Sequence, residues 1–126
     1  AASLIHPRLK LPNQIDSSIL SHDAASCKAY AHDPLIFHTA TARWFTEILA
    51  THADVRRRAP QLAVPMLLLQ AGDDQLVDAR AAQEVFDLLG CTDRQMKIYP
   101  SLYHEILNEV ERDTVLTDLT DWLNQR

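Results

Sequence analysis

Two adjacent carboxylates and one histidine are the residues of this chain best placed to do chemistry. Asp73 and Asp74 end the run Val64-Pro65-Met66-Leu67-Leu68-Leu69-Gln70-Ala71-Gly72. His104 stands thirty residues after Asp74, in Tyr99-Pro100-Ser101-Leu102-Tyr103-His104-Glu105. A histidine titrates near neutrality, so it can take a proton and return it. A carboxylate beside it fixes its tautomer and stabilises the imidazolium. An acid and a histidine are two members of an acid–base–nucleophile triad. Asp73 competes with Asp74 for the acid role. Asp74 is preferred because Gln75-Leu76-Val77 lead back into apolar packing that would hold it in place.

Such a pair needs rigid supports. The run at Val64–Gln70 is apolar without alternation, which predicts a strand buried on both faces, as in a parallel sheet. Open sheets of this kind carry their ligands at the carboxyl ends of the strands, where the two acids fall. Asp78 is expected to cap a helix reaching Leu89, with Ala82, Val85, Phe86 and Leu89 on one face and Gly90 as its left-handed stop. A second strand is expected over Gln95–Tyr99. This strand–helix–strand unit would put Asp74 and His104 on adjacent strand ends.

The flanking segments read as helical. Residues 1–23 look irregular, because Pro7 and Pro12 break any early helix. A short helix is expected from Ala24 to His32, capped by Asp23 and ended by Asp33-Pro34, with Cys27 and Tyr30 facing inward. Thr39 is the expected cap of a helix over about residues 40–57. Its stripe of Trp44, Phe45, Ile48 and Leu49 suits a packing surface, although a lid over an apolar pocket would look the same. Arg56, Arg57 and Arg58 fit a solvated C-terminal turn. A last helix is expected from Glu111 to Asn124, burying Val115, Leu116, Leu119, Trp122 and Leu123. Two parallel strands do not make a stable sheet alone. The chain is therefore expected to be incomplete, the last part of a larger α/β domain behind a helical insertion.

Other chemistries fit poorly. His104-Glu105-Ile106-Leu107-Asn108 has asparagine where a zinc-binding H-E-x-x-H has its second ligand. His22-Asp23 and His32-Asp33 have no third ligand at suitable spacing, so capping and turn roles are expected. The chain has only two glycines, Gly72 and Gly90, where average usage gives roughly nine. Phosphate loops and nucleophile elbows need closely spaced glycines, so neither can lie within these residues. Ser101 shares a loop with His104 and does not suit an elbow. A net charge of −5 argues against nucleic acid or an anionic membrane as main partner. No stretch is long and apolar enough to span a bilayer, and no basic-then-apolar signal opens the sequence. Cys27 and Cys91 read as buried, reduced thiols of a cytoplasmic protein.

The two motifs together resemble the C-terminal half of an α/β-hydrolase, closest to the monoacylglycerol lipase, lysophospholipase and serine aminopeptidase-like branch. Pro65-Met66-Leu67-Leu68-Leu69-Gln70-Ala71-Gly72-Asp73-Asp74-Gln75-Leu76-Val77 is similar to that family's strand followed by G-x-x-D-x-x-V, with Ala71 in place of a usual glycine. Lys97-Ile98-Tyr99-Pro100-Ser101-Leu102-Tyr103-His104-Glu105-Ile106-Leu107-Asn108-Glu109 is similar to its strand, turn and Y-H-E-x-x-N-E segment. The resemblance spans about residues 15–126. It implies that Asp74 is the catalytic acid and His104 the catalytic histidine. It also implies a cap remnant over residues 1–58 and the C-terminal part of the hydrolase core over 59–126. The nucleophile and oxyanion segments would lie in an N-terminal core absent from this chain.

The expected function is a serine ester hydrolase acting on monoacylglycerol, lysolipid or simple carboxylic esters, without metal or organic cofactor. The chain alone would be inactive, and its partner would be the missing N-terminal half, on the same or a separate chain. Two alternatives remain open: aminopeptidase- or epoxide hydrolase-like chemistry on the same fold, and a non-catalytic fragment or subunit.

Overall fold

Three short polar side chains decide where the main helices begin. Asp23 accepts the backbone N–H groups of Ala25 and Ser26, Thr41 that of Trp44, and Asp78 that of Arg80. Each satisfies donors that the first helical turn leaves without a partner. The computed structural model describes residues 2–126. Its elements are, in order, α1 (Ala2–Ile5), β1 (Lys10–Pro12), α2 (Ala24–His32), β2 (Thr39–Thr41), α3 (Ala42–Arg58), β3 (Met66–Ala71), α4 (Ala79–Leu88), β4 (Arg94–Tyr99) and α5 (Arg112–Asn124). Ala1, part of the segment expected to be irregular, lies outside the described residues.

That early segment is not irregular throughout. β1 pairs antiparallel with β2, Lys10 opposite Thr41 and Pro12 opposite Thr39. Proline removes a ladder donor, which argues against a strand in the sequence, yet a three-residue edge strand tolerates it. The same pairing moves the cap of α3 from Thr39 to Thr41, because residues 39–41 are held in extended form.

β3 and β4 lie parallel, Met66 opposite Arg94 and Ala71 opposite Tyr99, with α4 between them in sequence. Among the described residues β3 has a strand neighbour on one edge only. Leu67, Leu68 and Leu69 are accordingly half-buried, where burial on both faces was expected. The strand becomes fully buried only at Gln70 and Ala71, where it enters the loops that carry the acids.

Two small cores flank the strand pair. Ala59, Leu89 and Cys91 form one, with Met66, Val85 and Phe86 packed on it. Tyr99, Leu102 and Val115 form the other, with Leu69 and Ile106. Of the α5 residues expected inside, Val115 is fully buried and Leu119 and Trp122 half-buried, but Leu116 and Leu123 are exposed. Trp44, Phe45 and Leu49 on α3 are exposed too, so this stripe packs on nothing extensive among the described residues. Cys27 is only half-buried, and both thiols are free. Arg56, Arg57 and Arg58 are solvated and pair with Glu84 and Asp54. No helix of the described residues is long and apolar enough to cross a membrane.

Gly90 follows α4 but is not the left-handed stop expected of it, since no glycine has a positive φ. Glycine is required there by close approach. Its N–H donates to the Ala59 carbonyl at 3.1 Å, and a Cβ would fall 2.0 Å from the Pro60 carbonyl oxygen. Gly90→Ala is expected to destabilise the protein by about 1–3 kcal/mol, as overpacking against backbone does. A lowered denaturation midpoint would show it, and an unchanged midpoint would contradict the close approach.

Candidate active site

The turn after β3 and the loop after β4 are built against each other. Gly72 donates its N–H to the Tyr99 carbonyl at 2.8 Å, and Asp73 donates to the Leu102 carbonyl at 3.2 Å. The loops meet so closely that a Cβ on Gly72 would fall 2.6 Å from Pro100 Cα. Parallel strands ending side by side thus deliver two short loops to one place, and a glycine lets their backbones touch.

Across this junction Asp74 Oδ2 lies 2.8 Å from His104 Nδ1. The other oxygen, Oδ1, accepts the N–H groups of Leu76 at 2.8 Å and Val77 at 3.0 Å. These two bonds hold Asp74 in place, rather than the apolar packing expected of the following residues, for Val77 is exposed. Asp73 is exposed and takes part through its backbone. The Asp74 side chain is 2% exposed and that of His104 36%. An ionised carboxylate only accepts, so Nδ1 must carry the proton, and a neutral ring then has Nε2 as its free base. An oriented imidazole with an open basic nitrogen can accept a proton from a hydroxyl.

Burial pushes the Asp74 carboxyl up, but hydrogen bonds from His104, Val77 and Leu76, with the His104 charge, outweigh it and hold it below the ordinary aspartate value. A second acid behaves alike. Burial raises Glu109, whereas the N–H groups of Tyr103 and His22 and the His22 ring bring it below the ordinary glutamate value. Both groups bind protons more weakly folded than unfolded. Their stabilisation is therefore complete above the unfolded carboxylate range and lost as pH falls through the depressed folded values. Denaturation midpoints are expected to hold near neutrality and to drop on acidification below about pH 4.5, the ordinary glutamate value. A midpoint flat through that range would contradict this.

Glu109 had no role in the sequence reading, and His22 was expected only to serve a turn. The structure brings them together, His22 Nδ1 2.8 Å from Glu109 Oε1, while Asp23 caps α2 as expected. The last position of the Y-H-E-x-x-N-E segment was the one available signal, and nothing in spacing told that it turns inward.

The chain matches the serine aminopeptidase S33 family model over residues 1–111. It is 35% identical to the monoglyceride lipase of Homo sapiens over 127 residues, covering 98% of this chain and 42% of that protein. To the phospholipase YtpA of Bacillus subtilis it is 33% identical over 115 residues, covering 90% of this chain and 44% of that protein. The fold matches the crystal structure of the Paleococcus ferrophilus monoacylglycerol lipase with a TM-score of 0.91 at 24% identity, over 97% of this chain and 48% of that one. The chain thus spans less than half the length of these relatives. It carries part of an α/β-hydrolase fold and belongs to the serine aminopeptidase S33 family.

Proposed function

We propose that the whole protein carrying this chain is a serine ester hydrolase acting on monoacylglycerols or lysophospholipids. The observation that carries the reading is the 2.8 Å contact between Asp74 and His104 Nδ1 at the ends of two parallel strands. The names of its lipase and phospholipase relatives support the substrate class. In this reading residues 1–58 belong to a cap and residues 59–126 to the catalytic core, with a serine nucleophile supplied from outside them. A groove of about 690 Å³ that includes Tyr30, Ile36, Phe37, Ala40 and Trp44 gives the cap region an apolar surface suited to an acyl chain. The free cysteines Cys27 and Cys91 fit a reducing, cytoplasmic setting.

The chemistry follows from the pair. His104 Nε2 takes the serine proton as the oxygen attacks the ester carbonyl. The imidazolium, stabilised by ionised Asp74, then protonates the departing alcohol. With the alcohol gone, His104 draws a proton from water as the water oxygen attacks the acyl carbonyl. Collapse breaks the bond to the serine oxygen, which takes its proton back from the imidazolium as the acid leaves. The test is fatty-acid release from 1-monooleoylglycerol and from lysophosphatidylcholine by the full-length protein. Release from either substrate supports the reading, and none from either overturns it. Residues 1–126 alone are expected to release none.

A further inference from the structure

Fully buried Glu109 plays no part in the proton transfers above, yet it is bonded both to the residue before His104 and to the segment ahead of α2. Its Oε1 accepts the N–H of Tyr103, the residue before His104, at 2.7 Å, and the same oxygen meets His22 Nδ1 at 2.8 Å. Its Oε2 accepts the His22 N–H at 2.8 Å and the Val110 N–H at 3.3 Å. On the other side of His104, the Glu105 N–H donates to the Leu20 carbonyl at 2.8 Å. The Ser21 hydroxyl donates to the Asn108 carbonyl at 2.8 Å. The His22 ring stacks on the Tyr103 ring at 3.7 Å. Segment 20–22, just ahead of α2, therefore grips residues 103, 105 and 108, and the one carboxylate at the centre of this grip is Glu109.

We infer that Glu109 and His22 are positioning residues that set where His104 stands against Asp74 and the attacking hydroxyl. The inference rests on the proposed hydrolase function. A carboxylate is needed because the groups aimed at it are donors, and an ionised carboxyl only accepts. His22 Nδ1 faces a carboxylate oxygen that only accepts, so Nδ1 carries the proton and donates it to Glu109. Proton transfer demands hydrogen-bond distance, and a displacement of about 1 Å can cost about a hundredfold in rate.

The test uses the full-length protein with Glu109→Gln, His22→Ala and His22→Asn. Glutamine puts an amide donor against the donors of Tyr103 or His22. Asparagine places an amide N–H where His22 has Nδ1. Glu109→Gln is expected to lower kcat about 10- to 100-fold, and His22→Ala about threefold to tenfold, with KM little changed because both act through the position of His104. His22→Asn should restore kcat. Proton NMR of the His104 Nδ1–H in the same samples reads the bond to Asp74 without substrate, and this signal should move in Glu109→Gln and in His22→Ala. Wild-type kcat and an unmoved signal in both variants would overturn the inference. So would a loss in His22→Ala that asparagine fails to restore. Should Glu109→Gln not fold, His22→Ala decides, since its ring is partly exposed. An inactive wild type whose Nδ1–H signal still moves in the variants would sink the hydrolase reading and leave the clamp standing.

Discussion

His104→Ala in the full-length protein is expected to lower kcat for ester hydrolysis by about 10⁴-fold or more, leaving KM close to wild type. The imidazole is the only group among the described residues placed on Asp74 with an open basic nitrogen. Without it a serine hydroxyl keeps its proton and the departing alkoxide finds no acid. The fold should survive, because the side chain is partly exposed and bonds only to Asp74, whose other oxygen keeps the N–H groups of Leu76 and Val77. A folded variant retaining more than about a tenth of wild-type kcat would remove His104 from the role of general base, given the loss that deleting a triad member causes.

Asp74→Asn should cost about 10⁴-fold in kcat for a different reason. Asparagine has nearly the same shape, and its carbonyl can still accept from Leu76 and Val77. Its amide nitrogen would then occupy the place of Oδ2, 2.8 Å from His104 Nδ1, so donor would meet donor. Imidazole can relieve this only by moving its proton to Nε2, and a protonated Nε2 cannot accept from the serine. The ring stays in place in the wrong tautomer. Asp73→Asn is the control, because exposed Asp73 engages the histidine loop through its backbone alone and should retain kcat. A large loss in Asp73→Asn with little in Asp74→Asn would mean that the wrong acid had been assigned.

The parts of this architecture that were legible in the sequence are those governed by local rules. Asp23 and Asp78 have the short side chains and following apolar residues that start helices, and both cap the helices expected of them. The apolar run before Asp73 and the stretch before Tyr99 form the two parallel strands, within a residue or two of the expected bounds. Spacing of one strand–helix–strand unit brought the loops of Asp74 and His104 together, and of the two carboxylates Asp74 is the one that meets the ring.

What escaped the sequence depends on partners far along the chain. β1 is three residues with a proline, and only its pairing with β2 makes it a strand. Gly90 sits where a helix stop belongs, yet its reason is the Pro60 carbonyl thirty residues earlier. Glu109 lies 87 residues from His22, and no periodicity links them. Helical spacing put Leu116 and Leu123 inside because it marks an apolar face without saying how much of that face is covered.

The most direct measurement is fluorophosphonate labelling of the full-length protein, followed by mass mapping of the modified residue. The probe reacts only with a serine whose hydroxyl is activated by a neighbouring base. A single labelled serine outside residues 1–126, with labelling lost in His104→Ala and strongly slowed in Asp74→Asn, is the predicted result. A folded protein that takes no label, or one that labels equally well without His104, would show that the Asp74–His104 pair does not drive a serine nucleophile.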